Sequence, residues 1–293
     1  MKLIIGSRES RLAVIQAELV MDAIARAHPE IELQLLTMKT TGDWILDRPL
    51  DKIGGKGLFV RELDAALREG RADLSVHSCK DLPMDFPPDL PLAAFTRRED
   101  PRDALVLPLG TAELRGPIGC SSLRRRLQLK ELFPDIETAP IRGNVLTRLR
   151  KLDSGEYGAL VLAAAGLKRL GLEGRISRYF SVEEILPAAG QGILAVQRRA
   201  GLDSSVLECL RERDAEDCAL AERAFVRALD GGCSSPVAAH AVTEDGVITI
   251  TGLYVDGAER MSRDRVSGPR SQGEELAQEL ARRMKEAAVC REK

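Results

Sequence analysis

The chain has 293 residues, and its 43 basic and 45 acidic side chains leave a formal charge of −2. This length is sufficient for two or three domains. Nucleic-acid-binding proteins usually carry a basic excess and, for single strands, stacking aromatic residues, whereas only 3% of this chain is aromatic. No apolar run is long enough to cross a membrane. We therefore expect neither a nucleic-acid partner nor a membrane partner.

The first residues, Met1 to Gly6, have the pattern of a strand and lack the apolar core of a signal peptide. We therefore expect a cytoplasmic protein whose six cysteines are thiols. No Cys-x-x-Cys pair occurs, and the three histidines are scattered along the chain. No metal site is expected from this pattern.

The first half of the chain alternates short apolar strands with helices, as in an α/β domain. Strands are predicted at 3–5, 31–35 and 72–76. The helix after the first strand has its apolar face at Leu12, Ile15, Leu19 and Ala23. Four prolines between positions 83 and 91 mark a loop or linker.

A second α/β stretch begins near residue 104 and contains an apolar strand at 158–163. A later strand at 193–196 is expected to return to the first domain, with hinges near Arg97 and Gly190. The last part of the chain has two helices and three strands, two of them joined by the hairpin signal Asp245-Gly246. The predicted domains are 1–96 with 193–208 (α/β), 97–192 (α/β) and 209–293 (a small α+β domain).

Arginine is concentrated in two stretches, Cys120 to Arg126 and Arg142 to Arg150. Both begin where a predicted strand ends and a predicted helix starts, and a helix N-terminus favours anions. The guanidinium fork binds carboxylate or phosphate in a bidentate manner. The pattern indicates a partner with several acidic groups, although a solvated basic helix face is the alternative for any single arginine.

Several polar residues lie at the carboxyl ends of predicted strands, where open α/β sheets bind their ligands. They are Ser7, Arg8, Ser10, Lys80, Asp81, Ser122, Arg124, Arg125, Arg142 and Asn144. Two α/β domains that face each other would place these side chains around one cleft. We therefore predict an anion-binding cleft between the two domains.

Asp81 is a carboxylate beside Lys80, with arginines expected across the cleft. It could stabilise a developing cation or transfer a proton, or it could simply be a turn residue before Leu82 and Pro83. The glycine-rich segment at 54–57 lacks the Ser or Thr of a phosphate-binding loop, since Gly57 occupies that place. A flexible loop with a reaching lysine is the better interpretation there.

Among the cysteines, Cys233 lies in an irregular loop after a predicted helix, while Cys79 and Cys120 lie near the predicted cleft. The residues alone do not choose among these three as a reactive thiol. Cys209 and Cys218 are expected to pack in a core. His77 and His240 lie in strand-like stretches, where they are expected to be structural.

Taken together and in order, these segments resemble the porphobilinogen deaminase (hydroxymethylbilane synthase) family. The resemblance extends from Gly6 to about Pro236, and its motifs are specific as an ordered set. They are Arg8-Glu9-Ser10, the segments at 54–59, 77–83 and 98–103, Ser121 to Arg125, Arg142 to Val145, and the segments at 164–170, 187–192 and 231–233.

The resemblance implies two α/β domains similar to the lobes of periplasmic binding proteins, followed by a small α+β domain. It implies a covalent dipyrromethane cofactor, joined through a thioether to Cys233. It also implies a monomeric transferase of tetrapyrrole biosynthesis, which joins four porphobilinogen molecules head to tail with loss of ammonia. The product is hydroxymethylbilane.

The family's site residues carry over onto matching positions of this sequence. By resemblance, Asp81 is the catalytic carboxylate, which stabilises the positive charge on the azafulvene formed when the amine leaves. The cofactor-binding residues are Cys233, Ser10, Lys80, Asp81, Ser122, Arg124, Arg125, Arg142 and Arg148. The substrate-binding residues are Arg8, Lys56, Phe59, Arg142, Arg148, Arg169 and Gln191.

Four positions depart from this carry-over. Arg11, Arg126 and Arg150 match no functional position, so we expect them to face solvent. Cys120 stands where many family members have threonine, and a thiol is a weaker hydrogen-bonding group than a hydroxyl. An alternative from another class is a cytosolic two-lobed anion-binding protein without chemistry, which would need neither Asp81 nor Cys233.

Overall fold

The computed structural model describes residues 1–44, 57–231 and 235–290. The strands are β1 (Lys2–Arg8), β2 (Glu32–Met38), β3 (Leu74–Ser78), β4 (Leu92–Phe95), β5 (Asp103–Val106), β6 (Ile118–Gly119), β7 (Thr138–Ala139), β8 (Ala159–Ala163), β9 (Arg178–Tyr179), β10 (Leu194–Arg198), β11 (Ala238–Glu244), β12 (Val247–Val255) and β13 (Met261–Pro269). The helices are α1 (Arg11–Ala27), α2 (Thr41–Trp44), α3 (Arg61–Arg68), α4 (Leu123–Leu132), α5 (Val145–Asp153), α6 (Ala164–Arg169), α7 (Arg213–Ala228) and α8 (Gly273–Cys290).

Two five-stranded sheets have the same arrangement. Their strand orders are β2-β1-β3-β10-β4 and β7-β6-β8-β5-β9. In each sheet the fourth strand of this order is antiparallel to both of its neighbours. The first three strands of each order are parallel, and their carboxyl ends therefore meet at one edge. The two predicted α/β units are confirmed.

The antiparallel strand of each sheet is the one that follows a crossing of the chain between the sheets. The chain leaves the first sheet after β4, enters the second as β5 and returns as β10, which confirms the predicted return. Asp103, the first residue of β5, is paired with Ala163 at the end of β8. Leu194, the first residue of β10, is paired with Ser78 at the end of β3. Both crossings therefore end at the carboxyl edge of a sheet. The exact bounds of the domains remain a prediction.

The third unit is an antiparallel sheet, β11-β12-β13, packed against α7 and α8. Its first two strands are joined at Asp245 and Gly246, whose φ angles of 49° and 77° are those of a two-residue hairpin turn with both residues left-handed. Phe225 of α7 and Leu280 of α8 are fully buried between the helices and the sheet. The predicted small α+β unit is confirmed.

The predicted apolar face of α1 was wrong at Leu19, while Ala23 packs against the core of the first unit. Leu19 is 47% exposed, whereas the buried residues of the helix are Gln16, Ala17, Val20 and Ile24. The polar Gln16 faces inward because its side-chain amide is hydrogen-bonded to the Ser78 hydroxyl, with Nε2 and Oγ 3.0 Å apart. None of the helices in the described ranges is both long enough and apolar enough to span a bilayer.

A buried carboxylate, that of Glu222 on α7, joins the two crossings to the third unit. Its Oε1 accepts hydrogen bonds from Nη2 of Arg98 in the first crossing at 2.8 Å and from the backbone of Ala241 at 2.7 Å. Its Oε2 accepts from the backbone of Gly190 in the second crossing at 2.7 Å. His240 completes the cluster, with Nδ1 2.9 Å from Nη1 of Arg98. One side chain therefore holds three separate parts of the chain.

Two glycines in the second crossing allow this close packing. Gly190 and Gly192 have φ angles of 73° and 91°, which disfavour other residues. A Cβ atom at Gly190 would lie 2.5 Å from Sγ of Cys79, and one at Gly192 would lie 2.2 Å from the carbonyl oxygen of Glu99. The glycines let the backbone on both sides of Gln191 approach both the first sheet and the first crossing.

We expect Glu222→Gln to lower the free energy of unfolding by roughly 3–5 kcal/mol, because the buried Arg98 loses its charge partner. Chemical denaturation measures this loss. Glu216→Gln on the same helix is the matched control, since its partner Arg211 is 40% exposed, and it should cost less than about 1 kcal/mol. Equal losses in the two variants would contradict the role assigned to Glu222.

Candidate active site

The cleft residues of the first unit lie just beyond β1 and β3. Arg8 ends β1, and the guanidinium of Arg8 lies over the Phe59 ring, with Cζ 4.3 Å from the ring centroid. Ser10 caps helix α1, and its Oγ accepts from the backbone of Ala13 at 3.4 Å. Asp81 lies in a single 3-10 turn, Cys79–Asp81, that follows β3 directly.

The Asp81 side chain is exposed, and it accepts no hydrogen bond from the part of the chain that the structure describes. Its negative charge nevertheless acts to raise the pKa values of Lys80, Arg125 and Arg148. The carboxylate is therefore close to cations from both α/β units while its oxygens stay available.

Asp103 is a fully buried carboxylate, and it fixes the two arginines at the start of α4. Its Oδ2 accepts from Nη2 of Arg124 at 2.8 Å, and its Oδ1 accepts from Nη2 of Arg125 at 2.6 Å. Burial acts to raise the pKa of Asp103, but the positive charges of the two arginines outweigh burial and hold that pKa well below its ordinary value. The carboxylate is therefore ionised at neutral pH.

This arrangement changes the picture of Arg124 drawn from the sequence. The side chain is only 5% exposed, and its remaining Nη1 donates to the carbonyl of Leu186 at 2.6 Å. Arg125 is similarly buried, at 7% exposed, and its Nη1 donates to the carbonyl of Val161 at 3.2 Å, but its Nε is buried without a hydrogen-bond partner among the described residues. Arg124 thus has an internal structural role, whatever else it binds.

Gln191 connects the two α/β units at the cleft. Its Nε2 donates to Oδ1 of Asp103 at 2.9 Å and to the carbonyl of Pro101 at 2.7 Å. Its Oε1 accepts from Nζ of Lys80 at 3.2 Å. Burial lowers the pKa of Lys80 to about 8, so its protonation state can change near neutral pH. An anion bound beside this lysine would stabilise its charged form.

Three further arginines line the same region. Burial, followed by the charge of Arg125, lowers the pKa of Arg148 to about 10, and its Nε donates to the carbonyl of Gly143 at 2.8 Å. Burial also lowers the pKa of Arg142. Arg169 in α6 has a pKa lowered by burial to about 10, and its Nη2 donates to the carbonyl of Gly192 at 2.6 Å. Cations desolvated in this way favour an anionic ligand.

The helix starts that carry the two arginine stretches are as predicted. Asn144 caps α5, and its Oδ1 accepts from the backbone of Thr147 at 2.9 Å. Ser122 occupies the same position of α4 but makes no capping bond with its side chain. Arg11, Arg126 and Arg150 are exposed, which confirms the expected solvent-facing position of these three.

The structure separates the cysteines. Cys79 and Cys120 are buried, and burial raises the pKa of the Cys79 thiol to about 11 and that of Cys120 above its ordinary value. Neither is an activated thiolate. Cys218 is buried as predicted, but the prediction for Cys209 was wrong, because that side chain is exposed in a 3-10 segment. Cys233 lies outside the described residues, as does Lys56.

The structure confirms the structural role that the sequence predicted for two histidines, His77 and His240. His77 is buried, its Nε2 lies 2.8 Å from the Ser75 hydroxyl, and burial lowers its pKa to about 4. His240 belongs to the Glu222 cluster. Sequence reasoning gave no role to Asp103 or Glu222. Asp103 is the one charged residue of the otherwise apolar strand β5, and that signal could have identified it. Helix α7 carries several other charged residues, so no comparable signal distinguishes Glu222.

The fold and the cleft define a class of protein: a two-lobed α/β protein with a cation-rich cleft and a small α+β unit. Residues 3–207 match the family model described as "Porphobilinogen deaminase, dipyromethane cofactor binding domain". Residues 217–286 match "Porphobilinogen deaminase, C-terminal domain". The chain belongs to the porphobilinogen deaminase family.

Curated relatives are similar over nearly the whole chain. The porphobilinogen deaminase of Ruminiclostridium cellulolyticum is 59% identical over 97% of this chain and 97% of its own length. That of Acetivibrio thermocellus is 56% identical over 98% and 99%. Among solved structures, the BenM effector binding domain with its effector benzoate is 14% identical and covers 71% of this chain and 88% of its own, with a TM-score of 0.42. Likeness at that score supports no argument about the site.

We expect Asp103→Asn to lower the free energy of unfolding at pH 7 by roughly 3–5 kcal/mol, because two buried arginines lose their counter-charge. Since the folded pKa lies below the unfolded value of about 3.9, this stability is present above that pH and is lost as the pH falls towards the folded pKa. Denaturation of both proteins at pH 7 and pH 3 measures the effect, and the difference should narrow at pH 3.

Asp264→Asn is the control for this experiment, because Asp264 pairs with Arg283 where both side chains are more than 40% exposed. It should change stability by less than about 1 kcal/mol. A difference between wild type and Asp103→Asn that stayed constant with pH would contradict the assignment of Asp103 as an ionised buried partner.

Proposed function

We propose that the chain catalyses the reaction of its family, the head-to-tail joining of four porphobilinogen molecules into hydroxymethylbilane with release of ammonia. The observation that carries this proposal is the convergence of desolvated cations from both α/β units near Asp81. Burial lowers the pKa values of Lys80, Arg142 and Arg148, and the charge of Asp81 acts on Lys80, Arg125 and Arg148. The carboxylates of a bound ligand would stabilise the charged forms of these cations.

The substrate has the matching chemistry. Each porphobilinogen carries an acetate and a propionate, so a growing chain adds two carboxylates with each ring. Guanidinium groups bind such carboxylates in a bidentate manner, and a desolvated site strengthens each pair. We propose Arg8, Lys56, Phe59, Arg142, Arg148, Arg169 and Gln191 as the substrate-binding residues. A site for mononucleotides or single phosphates would not require so many cations.

The carboxylate of Asp81, which accepts no hydrogen bond from the described residues, supplies the catalytic group. Its oxygens can accept the pyrrole N–H of a bound substrate, and their charge stabilises the positive charge that develops as the amine leaves. Lys80 is held beside Asp81 by Gln191 and can bind a substrate carboxylate as a cation. In this proposal Lys80 binds the substrate and Asp81 takes part in the chemical step. A simple anion-binding protein would not need Asp81.

The family's dipyrromethane cofactor fits the residues that are present. The buried Nε of Arg125 has no partner in the described parts of the chain, and Lys80 and Arg148 are cations whose pKa values burial lowers, so the cofactor's carboxylates would stabilise them. When bound, the cofactor supplies the pyrrole carbon to which the first substrate is joined. We propose Cys233 as its covalent anchor, with Ser10, Lys80, Asp81, Ser122, Arg124, Arg125, Arg142 and Arg148 as the residues that hold it.

We further propose that the protein acts as a cytoplasmic monomer without a nucleic-acid partner. The near balance of 43 basic and 45 acidic residues supports a local anion site instead of an extended surface for a polyanion.

The proposed reaction is tested directly by activity. The purified enzyme should convert porphobilinogen into a linear tetrapyrrole, and absence of turnover in protein that carries the cofactor would contradict the proposal.

We expect the intact mass of the purified protein to exceed the sequence mass by one dipyrromethane, because the cofactor is attached through a thioether. Mass spectrometry of Cys233→Ser should show no adduct. The control is Cys209→Ser, which removes an exposed thiol in a 3-10 segment and should retain the adduct. An active protein with an unmodified Cys233 would refute the anchor.

We expect Asp81→Asn to retain the cofactor but to lower kcat by roughly 10²–10³-fold, because the amide cannot stabilise a developing positive charge. Steady-state kinetics and intact mass measure the two effects separately. Asp89→Asn is the matched control, since Asp89 is 49% exposed and pairs with Arg68 on the surface. Turnover of Asp81→Asn close to that of wild type would remove Asp81 from the catalytic role.

A further inference from the structure

The position of Asp81 depends on the backbone around it. Within the described residues its carboxylate has no hydrogen-bond partner, so no side-chain contact fixes it. The 3-10 turn contributes one local bond, from the backbone of Leu82 to the carbonyl of Cys79 at 3.3 Å. The segment at 79–84 therefore needs an external support if the carboxylate is to have one location.

Arg223 on α7 provides that support. Its side chain is 2% exposed, and its guanidinium donates to three backbone carbonyls, those of Cys79, Pro83 and Met84. The Cys79 bond is 3.5 Å long, and the Met84 bond is 3.1 Å long. These carbonyls lie on both sides of Asp81 in the chain. The guanidinium fork thus bridges the two ends of the catalytic turn.

Two further contacts hold the same guanidinium and the same segment. The ring of Phe86 lies against Arg223, and Cζ of Arg223 is 4.7 Å from the ring centroid. Cys79 and Leu82 belong to one buried cluster with Ala215 and Ala219 of α7. The turn is therefore attached to α7 by apolar packing and by the arginine together.

We propose that Arg223 is the positioning residue for Asp81, and that through Arg223 helix α7 fixes the turn that carries this carboxylate. The proposal rests on the proposed function, because it treats Asp81 as the catalytic group. Lysine at position 223 would not replace the arginine, since a single ammonium on a flexible stem lacks the planar fork that reaches carbonyls on both sides of the turn.

The test compares Arg223→Lys with Arg227→Lys in the cofactor-loaded enzyme. Arg227 is 46% exposed and binds the same segment farther from Asp81, at the carbonyl of Met84 and at Asp85. We expect Arg223→Lys to lower kcat on the order of 10²-fold with KM nearly unchanged, because a displaced catalytic group affects the chemical step. Arg227→Lys should keep the kcat of wild type.

A double-mutant cycle separates positioning from general damage. If Arg223 acts through Asp81, Arg223→Lys should cause almost no further loss of kcat in the Asp81→Asn background. The same fold loss in both backgrounds would overturn the proposal, as would an unchanged kcat in folded Arg223→Lys. Intact mass confirms that each variant carries the cofactor.

Hydrogen exchange gives a readout that does not depend on activity. The Leu82 amide should exchange faster in Arg223→Lys than in wild type or Arg227→Lys, and unchanged exchange would overturn the proposal.

The two proposals can fail separately. If wild type loaded with cofactor showed no turnover, the proposed function would fail, while the exchange result would still decide whether Arg223 fixes the turn. Should Arg223→Lys not fold, Phe86→Leu removes the supporting ring, and normal kcat with normal exchange in that variant would overturn the proposal.

Discussion

The arrangement of the three units depends on the buried carboxylate of Glu222. It accepts hydrogen bonds from both crossings and from the third sheet, through Arg98, Gly190 and Ala241. Burial acts to raise the pKa of Glu222, but the charge of Arg98 and the hydrogen bond with His240 outweigh burial and hold that pKa below its ordinary value. A charge buried this deeply is stable only while its partners remain in place, so the cluster ties the two crossings and the third unit to one geometry.

A second buried carboxylate, Asp103, has a related effect inside the cleft. It neutralises part of the charge of Arg124 and Arg125 and orients both, while Gln191 links it to Lys80 of the other unit. The cleft thus combines fixed internal pairs with Arg142 and Arg148, two further cations whose pKa values burial lowers. Such preorganisation is what a site for a polycarboxylate requires, because the ligand then meets oriented donors instead of having to order them.

Helix α7 connects these two systems. Adjacent residues on it, Glu222 and Arg223, contact the crossings and the segment that carries Asp81 respectively, and its apolar face packs in the third unit through Phe225. The helix is therefore shared between the unit that follows it and the sheet that carries Asp81. The third unit takes part in the architecture of the cleft, beyond its role as the carrier of the proposed anchor.

The sequence by itself determined the alternation of elements, the carboxyl-end location of the polar residues and, through its ordered motifs, the family. Hydrophobic period and turn residues are local signals, which is why the hairpin turn at Asp245 and Gly246 was predicted correctly. The buried face of α1, the exposure of Cys209 and the internal pairing of Arg124 were decided by tertiary structure alone. Each depends on a partner distant in the chain, such as Ser78 for Gln16 or Asp103 for Arg124, and no local pattern encodes which distant polar groups will meet.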